Sequence, residues 1–251
     1  MEEEKRVVVI TGAGSGVGRA AALSFLAAGF RVALLGRRLA ALEEVIATSG
    51  VPQRGFARAT DVTQEQDVVD AFAAVVQRFG RVDVLFNNAG AFPPASRFDK
   101  LPFETWRTAM AVNLDGAFLC AREAFGYMVR QTPMGGRIIN NGSLSAQAPR
   151  PQSAAYTAAK HAITGLTRSI QLDGRAFHIA CGQIDIGNAA TGLTDGFGTG
   201  ALQADGSTKS EPMISVEAVA DAVLQMASLP LEANIPFMTV MATAMPFVGR
   251  G

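Results

Sequence analysis

The chain has 251 residues, 49% of them hydrophobic, and no Pro/Gly/Ser-rich linker divides it, so it can bury one large α/β core. Lysine plus arginine (22) balance aspartate plus glutamate (22), which argues against a nucleic-acid or anionic-membrane partner and leaves a small molecule as the expected one. Cys120 and Cys181, far apart and flanked by apolar residues, form no disulfide framework; a charged start and no apolar run of the ~18 residues a span needs predict a cytoplasmic protein.

Val7 to Ile10 is a continuous β-branched run, the pattern of a strand covered on both faces. It enters Thr11-Gly-Ala-Gly-Ser-Gly-Val-Gly18, and a helical pattern follows from Arg19 to Ala28. Strand, glycine turn and helix in that order are the context of a dinucleotide site. Glycine allows close backbone approach, and a helix N-terminus offers free N–H groups to a pyrophosphate. Gly12, Gly16 and Gly18, with Ser15 and Val17 between them, are the candidate residues.

Arg31 to Leu35 reads as the second strand, ending in Gly36-Arg37-Arg38. An acid here would grip the ribose 2′-hydroxyl of NAD(H); two guanidiniums instead suit a 2′-phosphate, so NADP(H) is favoured. A helix is predicted over Leu39 to Thr48 and a third strand over Gly55 to Thr60. Asp61-Val62 then stands at a strand's C-terminal edge, and Thr63 with Gln66 predicts a capping box for the next helix.

Val82 to Phe86 is a fourth strand leading into Asn87-Asn88-Ala89-Gly90, and the proline-containing stretch Ala91 to Pro102 reads as a loop beside a substrate. A long helical pattern runs from Leu101 to Arg130 with Asn113 in its middle. The fifth strand, Arg137 to Asn140, delivers Ser143 to another C-terminal edge. Thirteen residues later comes Tyr156, in the helix-forming run Ser153 to Ala162 that also carries Lys160. Positions i and i+4 share a helix face, so the lysine is expected to lower the phenol's pKa and let Tyr156 pass a proton near neutrality.

Phe177 to Ile186 is the sixth strand, followed by Gly187 and Thr191. The polar, glycine-rich region 188–214 predicts a mobile substrate loop, with Phe92, Leu193, Phe197 and Phe98 as a possible apolar wall. Ser215 to Leu229 reads as a Ser-capped helix and Asn234 to Met241 as a closing strand; the apolar tail Met245 to Val248 could meet another subunit. His161 is read as non-catalytic and His178, in an apolar strand, as a core or edge residue, and neither histidines nor cysteines have metal-ligand spacing. The alternation predicts a doubly wound, seven-stranded parallel sheet in one Rossmann-type domain over residues 1–251.

The set Thr11-Gly-x-x-x-Gly-x-Gly18, Asp61, Asn87-Asn-Ala-Gly90, Asn113, Ser143 and Tyr156-x-x-x-Lys160 resembles the short-chain dehydrogenase/reductase family, over nearly the whole chain. The resemblance implies Tyr156 as general acid/base, Ser143 as a hydrogen-bond partner of the substrate oxygen, and Lys160 as tuner of the tyrosine and ligand of the nicotinamide ribose. It implies that Asn113 anchors a water relaying protons to Lys160, that Asp61 and Val62 meet the adenine, and that Asn88, Ala89 and Gly90 line the cofactor cleft. Arg37 and Arg38 fall where NADP-preferring members are basic. Ile186-Gly187 departs from the family's Pro-Gly, while Thr191 keeps the place of a carboxamide ligand. The implied reaction is hydride transfer between NADP(H) and a carbonyl or secondary alcohol of a small substrate, in a homotetramer or homodimer. A non-catalytic NADP(H) sensor and a carrier-protein-linked 3-ketoacyl reductase are the alternatives.

Overall fold

The computed structural model describes residues 6–191 and 200–247. Val7–Thr11 (β1) has no exposed residue, as expected of a run of β-branched side chains needing cover on both faces. Around it assemble β2 (Arg31–Gly36), β3 (Gly55–Ala59), β4 (Val84–Asn87), β5 (Gly136–Asn141) and β6 (Ile179–Ile186). A short antiparallel hairpin, β7 (Ala201–Leu202) with β8 (Thr208–Lys209), stands apart, and β9 (Phe237–Val240) closes the main sheet. That sheet has seven parallel strands in the order β3-β2-β1-β4-β5-β6-β9.

Helices cover both faces. Val8, Ile10, Val32 and Leu34 point to the side of α1 (Gly16–Ala27), α2 (Leu39–Thr48) and the helix Val216–Ser228, here α7. Their strand neighbours Val7, Val9, Ala33 and Leu35 point to the side of α3 (Glu65–Phe79), α5 (Gly116–Arg130) and α6 (Ala154–Asp173). The period-2 alternation of strand side chains splits one apolar run between two cores. Because β1 pairs with β2 on one side and β4 on the other, connections leave it in opposite directions. The winding reverses between β1 and β4, and the C-terminal ends of strands at such a reversal are where open parallel sheets bind ligands.

Three local expectations are corrected. Thr63 does not cap α3: its hydroxyl donates to Asp61 Oδ1 (2.8 Å), and Gln64 occupies the N-cap position without a side-chain bond. Competition from the nearer carboxylate takes the hydroxyl away. The pattern over 101–130 is two helices, α4 (Phe103–Met110) and α5, joined by a π-helical turn at Ala111–Asp115. The sixth strand starts at Ile179, because Arg175–Phe177 forms a 3-10 turn and exposed His178 takes a left-handed φ of 53°. Ser215 does cap its helix, accepting from Ala218 N at 3.2 Å. Both cysteines are buried and free; burial pushes the Cys120 thiol up to about 12. Among the described residues no helix is long and apolar enough to cross a membrane.

Candidate active site

The glycine turn leaves β1 with Gly12 at φ 66° and Gly16 at φ 52°, a left-handed region that penalises any Cβ. Gly18 lies in the first turn of α1, where a Cβ would overlap the Gly12 carbonyl oxygen and stand 2.5 Å from Asn88 Nδ2. The helix therefore sits directly on the turn. Exposed Ser15 is its N-cap and makes no side-chain cap bond, which leaves the first-turn N–H groups for a ligand, while Val17 is buried beneath them. A dinucleotide's pyrophosphate fits this cradle, whose floor is backbone. Thr191 reaches the same place: its Cγ2 is 3.0 Å from where a Gly16 Cβ would be.

Arg37 and Arg38 are exposed at the C-terminal edge of β2 with no carboxylate between them and the glycine turn in sequence. Asp61 accepts from Thr63 N at 3.0 Å and from its hydroxyl, which holds the turn after β3, and buried Val62 packs beneath Gly116. Gly187 spends its missing side chain on the C-terminal segment: a Cβ there would meet Met241 Cβ at 2.8 Å and Met245 Sδ at 2.9 Å. That contact places Met245 against its own chain. Val248, Leu193 and Phe197 lie outside the described residues.

The asparagine run is a splice between strands. Thr11 Oγ1 accepts from Asn88 N and Ala89 N, both at 2.9 Å, and Asn88 Nδ2 donates to Thr11 O at 2.9 Å. Asn87 Nδ2 reaches Ala117 O (2.8 Å) and Asn140 Oδ1 (3.1 Å). Exposed Gly90 is tucked against Asn113, whose Oδ1 a Cβ would meet at 3.0 Å. Asn113 accepts from Ala91 N (3.1 Å) and donates to Ala91 O (2.8 Å) and Ala109 O (2.9 Å). Its amide is thus occupied in pinning the loop after β4 to the π turn.

Tyr156 and Lys160 lie together on α6. The Tyr156 ring packs on Phe92 with centroids 4.7 Å apart, and Lys160 Nζ is 5.5 Å from the Tyr156 centroid. Ser143, buried at the end of β5, is hydrogen-bonded to the Tyr156 hydroxyl through its side chain and also accepts from Ser145 N at 3.1 Å. Burial raises the Tyr156 phenol above its usual value, the Ser143 bond pulling it down and the charge of Asp185 adding to the rise. The expected net lowering is not found, because burial outweighs it; the Lys160 ammonium itself donates to Asn141 O at 2.7 Å. Burial also depresses Lys160 itself, to about 8, with Asp185 opposing. His161 is exposed and turned to Thr157 O, and Ser153 binds Arg150 O and the Thr157 hydroxyl, so neither joins the cluster.

Two features escaped the sequence reading. Asp185, 2% exposed on β6, accepts from Ser143 N (3.0 Å), Gln183 Nε2 (2.7 Å) and Gln147 Nε2 (3.0 Å). A lone acid in an apolar strand was its signal. Arg150, before α6, grips buried Glu211 with both terminal nitrogens, at 3.0 and 2.5 Å, and donates to Asn188 Oδ1 at 2.9 Å. Gln203 and Asn188 also donate to Glu211. This knot, with the reciprocal bonds between 188–190 and Ile214, fastens both ends of the region expected to be a loose lid.

A family model described as short chain dehydrogenase matches residues 6–200. The chain is 36% identical over 195 residues to the short chain dehydrogenase/reductase astE of Aspergillus oryzae, covering 75% of this chain and 73% of that protein. It is similar to the crystal structure of acetoin dehydrogenase YohF from Salmonella typhimurium (34% identity, TM-score 0.79, 94% and 95% covered). It also superposes on 3-ketoacyl-(acyl-carrier-protein) reductase from Brucella melitensis complexed with NADH (26% identity, TM-score 0.83, 94% and 97% covered).

Proposed function

Since the chain belongs to the short-chain dehydrogenase/reductase family, and is therefore an oxidoreductase of alcohols and carbonyls using a nicotinamide cofactor, we propose that it reduces the carbonyl of a small free substrate with NADPH. The observation that carries the reading is the convergence of Ser143, Tyr156 and Lys160 at the sheet edge beside the glycine turn.

The bound cofactor would supply the hydride. Gly12, Ser15, Gly16, Val17 and Gly18 would hold its pyrophosphate, and Asp61, Val62 and Asn88 to Gly90 the adenosine side of the cleft. Gly187 and Thr191 would lie along the nicotinamide end. Ser143 would hydrogen-bond the substrate oxygen and Tyr156 would give it a proton, stabilising the developing negative charge. A phenol raised by burial is protonated at neutral pH, which suits donation and hence reduction. Lys160 would bind the ribose hydroxyls and Asn113 would hold the π turn behind it.

NADP(H) over NAD(H) rests on Arg37 and Arg38 at the edge of β2. The NADH in the Brucella enzyme favours a second reading in which the preference is weak. A free substrate is preferred to a carrier-linked acyl chain because the acetoin dehydrogenase shares more of this chain's sequence, 34% against 26% identity. We place the protein in the cytoplasm as one 1–251 domain whose region 188–214 borders the substrate, assembled as a homotetramer or homodimer. Oxidation of NADPH and of NADH is measured against hydroxyketones, diketones, aldehydes and ketoacyl thioesters. Turnover of small ketones with NADPH supports the reading; tight nucleotide binding with no turnover on the whole panel would leave a sensor instead.

A further inference from the structure

The mechanism above makes no use of Asp185, although it is a buried carboxylate hydrogen-bonded to the main chain of Ser143 itself. Its three bonded neighbours, Ser143 N, Gln183 Nε2 and Gln147 Nε2, are all neutral. Desolvating an anion is costly, and a strand can bury an apolar residue here at no such cost, so a retained charge calls for a task. The titratable groups it acts on from the neighbouring helix are Tyr156 and Lys160. The other charge beside Tyr156 is that of Lys160 itself, whose Nζ stands 5.5 Å from the ring centroid. Register explains the proximity: Ile184 pairs with Asn141, whose carbonyl holds the Lys160 ammonium, and Gly142 N donates to Ile184 O at 2.8 Å. The packing is close enough that a Cβ on Gly142 would overlap Asp185 Oδ1.

We infer that Asp185 is a positioning residue for this site, clamping Ser143 through its main-chain N–H while its charge holds the neighbouring Lys160 in the ammonium form. The inference rests on the proposed roles of Ser143, Tyr156 and Lys160. Its logic is electrostatic: a buried lysine tends to lose its proton, and a fixed negative charge nearby opposes that loss. The same charge resists ionisation of Tyr156, which keeps the phenol loaded. One carboxylate thus favours the protonated form of both side chains.

Asp185→Asn is the discriminating change, because its Oδ1 can keep the bonds to Ser143 N and Gln183 while Gln147 turns its amide to meet Nδ2. The Lys160 Cε resonance is followed by carbon-13 NMR in protein labelled at lysine Cε and assigned by its absence in Lys160→Met. In Asp185→Asn the Lys160 titration is expected to move down by about one pH unit, and Asp185→Glu, which retains the charge, to restore most of it. The alkaline limb of carbonyl reduction moves down with it. If Asp185→Asn does not fold, Asp185→Ser, smaller and neutral, takes its place. An unmoved Lys160 titration in a folded neutral variant overturns the inference. Because that titration is read without turnover, it is separate from Tyr156→Phe: full activity in Tyr156→Phe would defeat the proposed roles whatever Lys160 does.

Discussion

The Lys160 ammonium donates to the Asn141 carbonyl oxygen at 2.7 Å, so a cation on α6 is tethered to the last residue of β5 while only 4% exposed. Burial lowers its folded-state pKa from 10.5 to about 8. The unfolded chain then binds the extra proton between those values, and this group makes stability rise with pH from about 8 to 10.5. Lys160→Met is expected to be inactive yet more stable at pH 7, by on the order of 1–3 kcal/mol. Denaturant unfolding at pH 7 and pH 10 checks both parts, with the gain shrinking at the higher pH.

Tyr156→Phe keeps the ring on Phe92 and loses only the hydroxyl that meets Ser143. Reduction is expected to fall by about 10²–10⁴-fold at unchanged nucleotide affinity. Single-turnover rates with fluorescence titration of NADPH measure the two quantities separately.

Arg37 and Arg38 stand in solvent at the end of β2, so replacing them leaves the core untouched. The double change to alanine is expected to weaken NADPH binding by about 10- to 100-fold and NADH binding by little. Calorimetry with each nucleotide decides it; an equal loss for both would remove the 2′-phosphate argument.

Burial alone would raise the Glu211 carboxyl, but hydrogen bonds from Arg150, Gln203 and Asn188 and the charge of Arg150 outweigh it and hold it at about 2. A depressed carboxyl contributes stability above its unfolded value, lost as pH falls from 4.5 towards 2. Glu211→Gln removes the buried charge that Arg150 grips and is expected to cost about 3 kcal/mol. Thermal unfolding at pH 7 tests this, and the wild-type advantage should fade below pH 4.

The glycine turn, the asparagine run and the Tyr156/Lys160 pair were legible because each is a local pattern whose spacing already states its geometry. The strands were legible for the same reason: Val7 to Ile10 has to be covered on both faces. Thr63 misled because its hydroxyl had a nearer acceptor in Asp61 than any helix N–H. Arg150 and Glu211 could not be paired from sequence, since 61 residues separate them and many arrangements satisfy either alone. Asp185 matters only through what β5 and α6 bring beside it. The phenol's pKa was misjudged for a related reason: proximity to a cation was visible, but the depth of burial was not.

The π turn at Ala111–Asp115 closes with Gly116 N on Ala111 O, one residue wider than an α-helical turn. Such a turn is what remains when a single amino acid is added to a regular helix. The segment 103–130 therefore counts one more position than its length as a spiral would need, and removing Leu114 would let it relax into an uninterrupted rod. Everything on one side of the deletion would then rotate by about 100° relative to the other, carrying Asn113 away from Ala91. The surplus amino acid is in this sense the spacer that lets one piece of chain both cover the sheet and clasp the loop after β4.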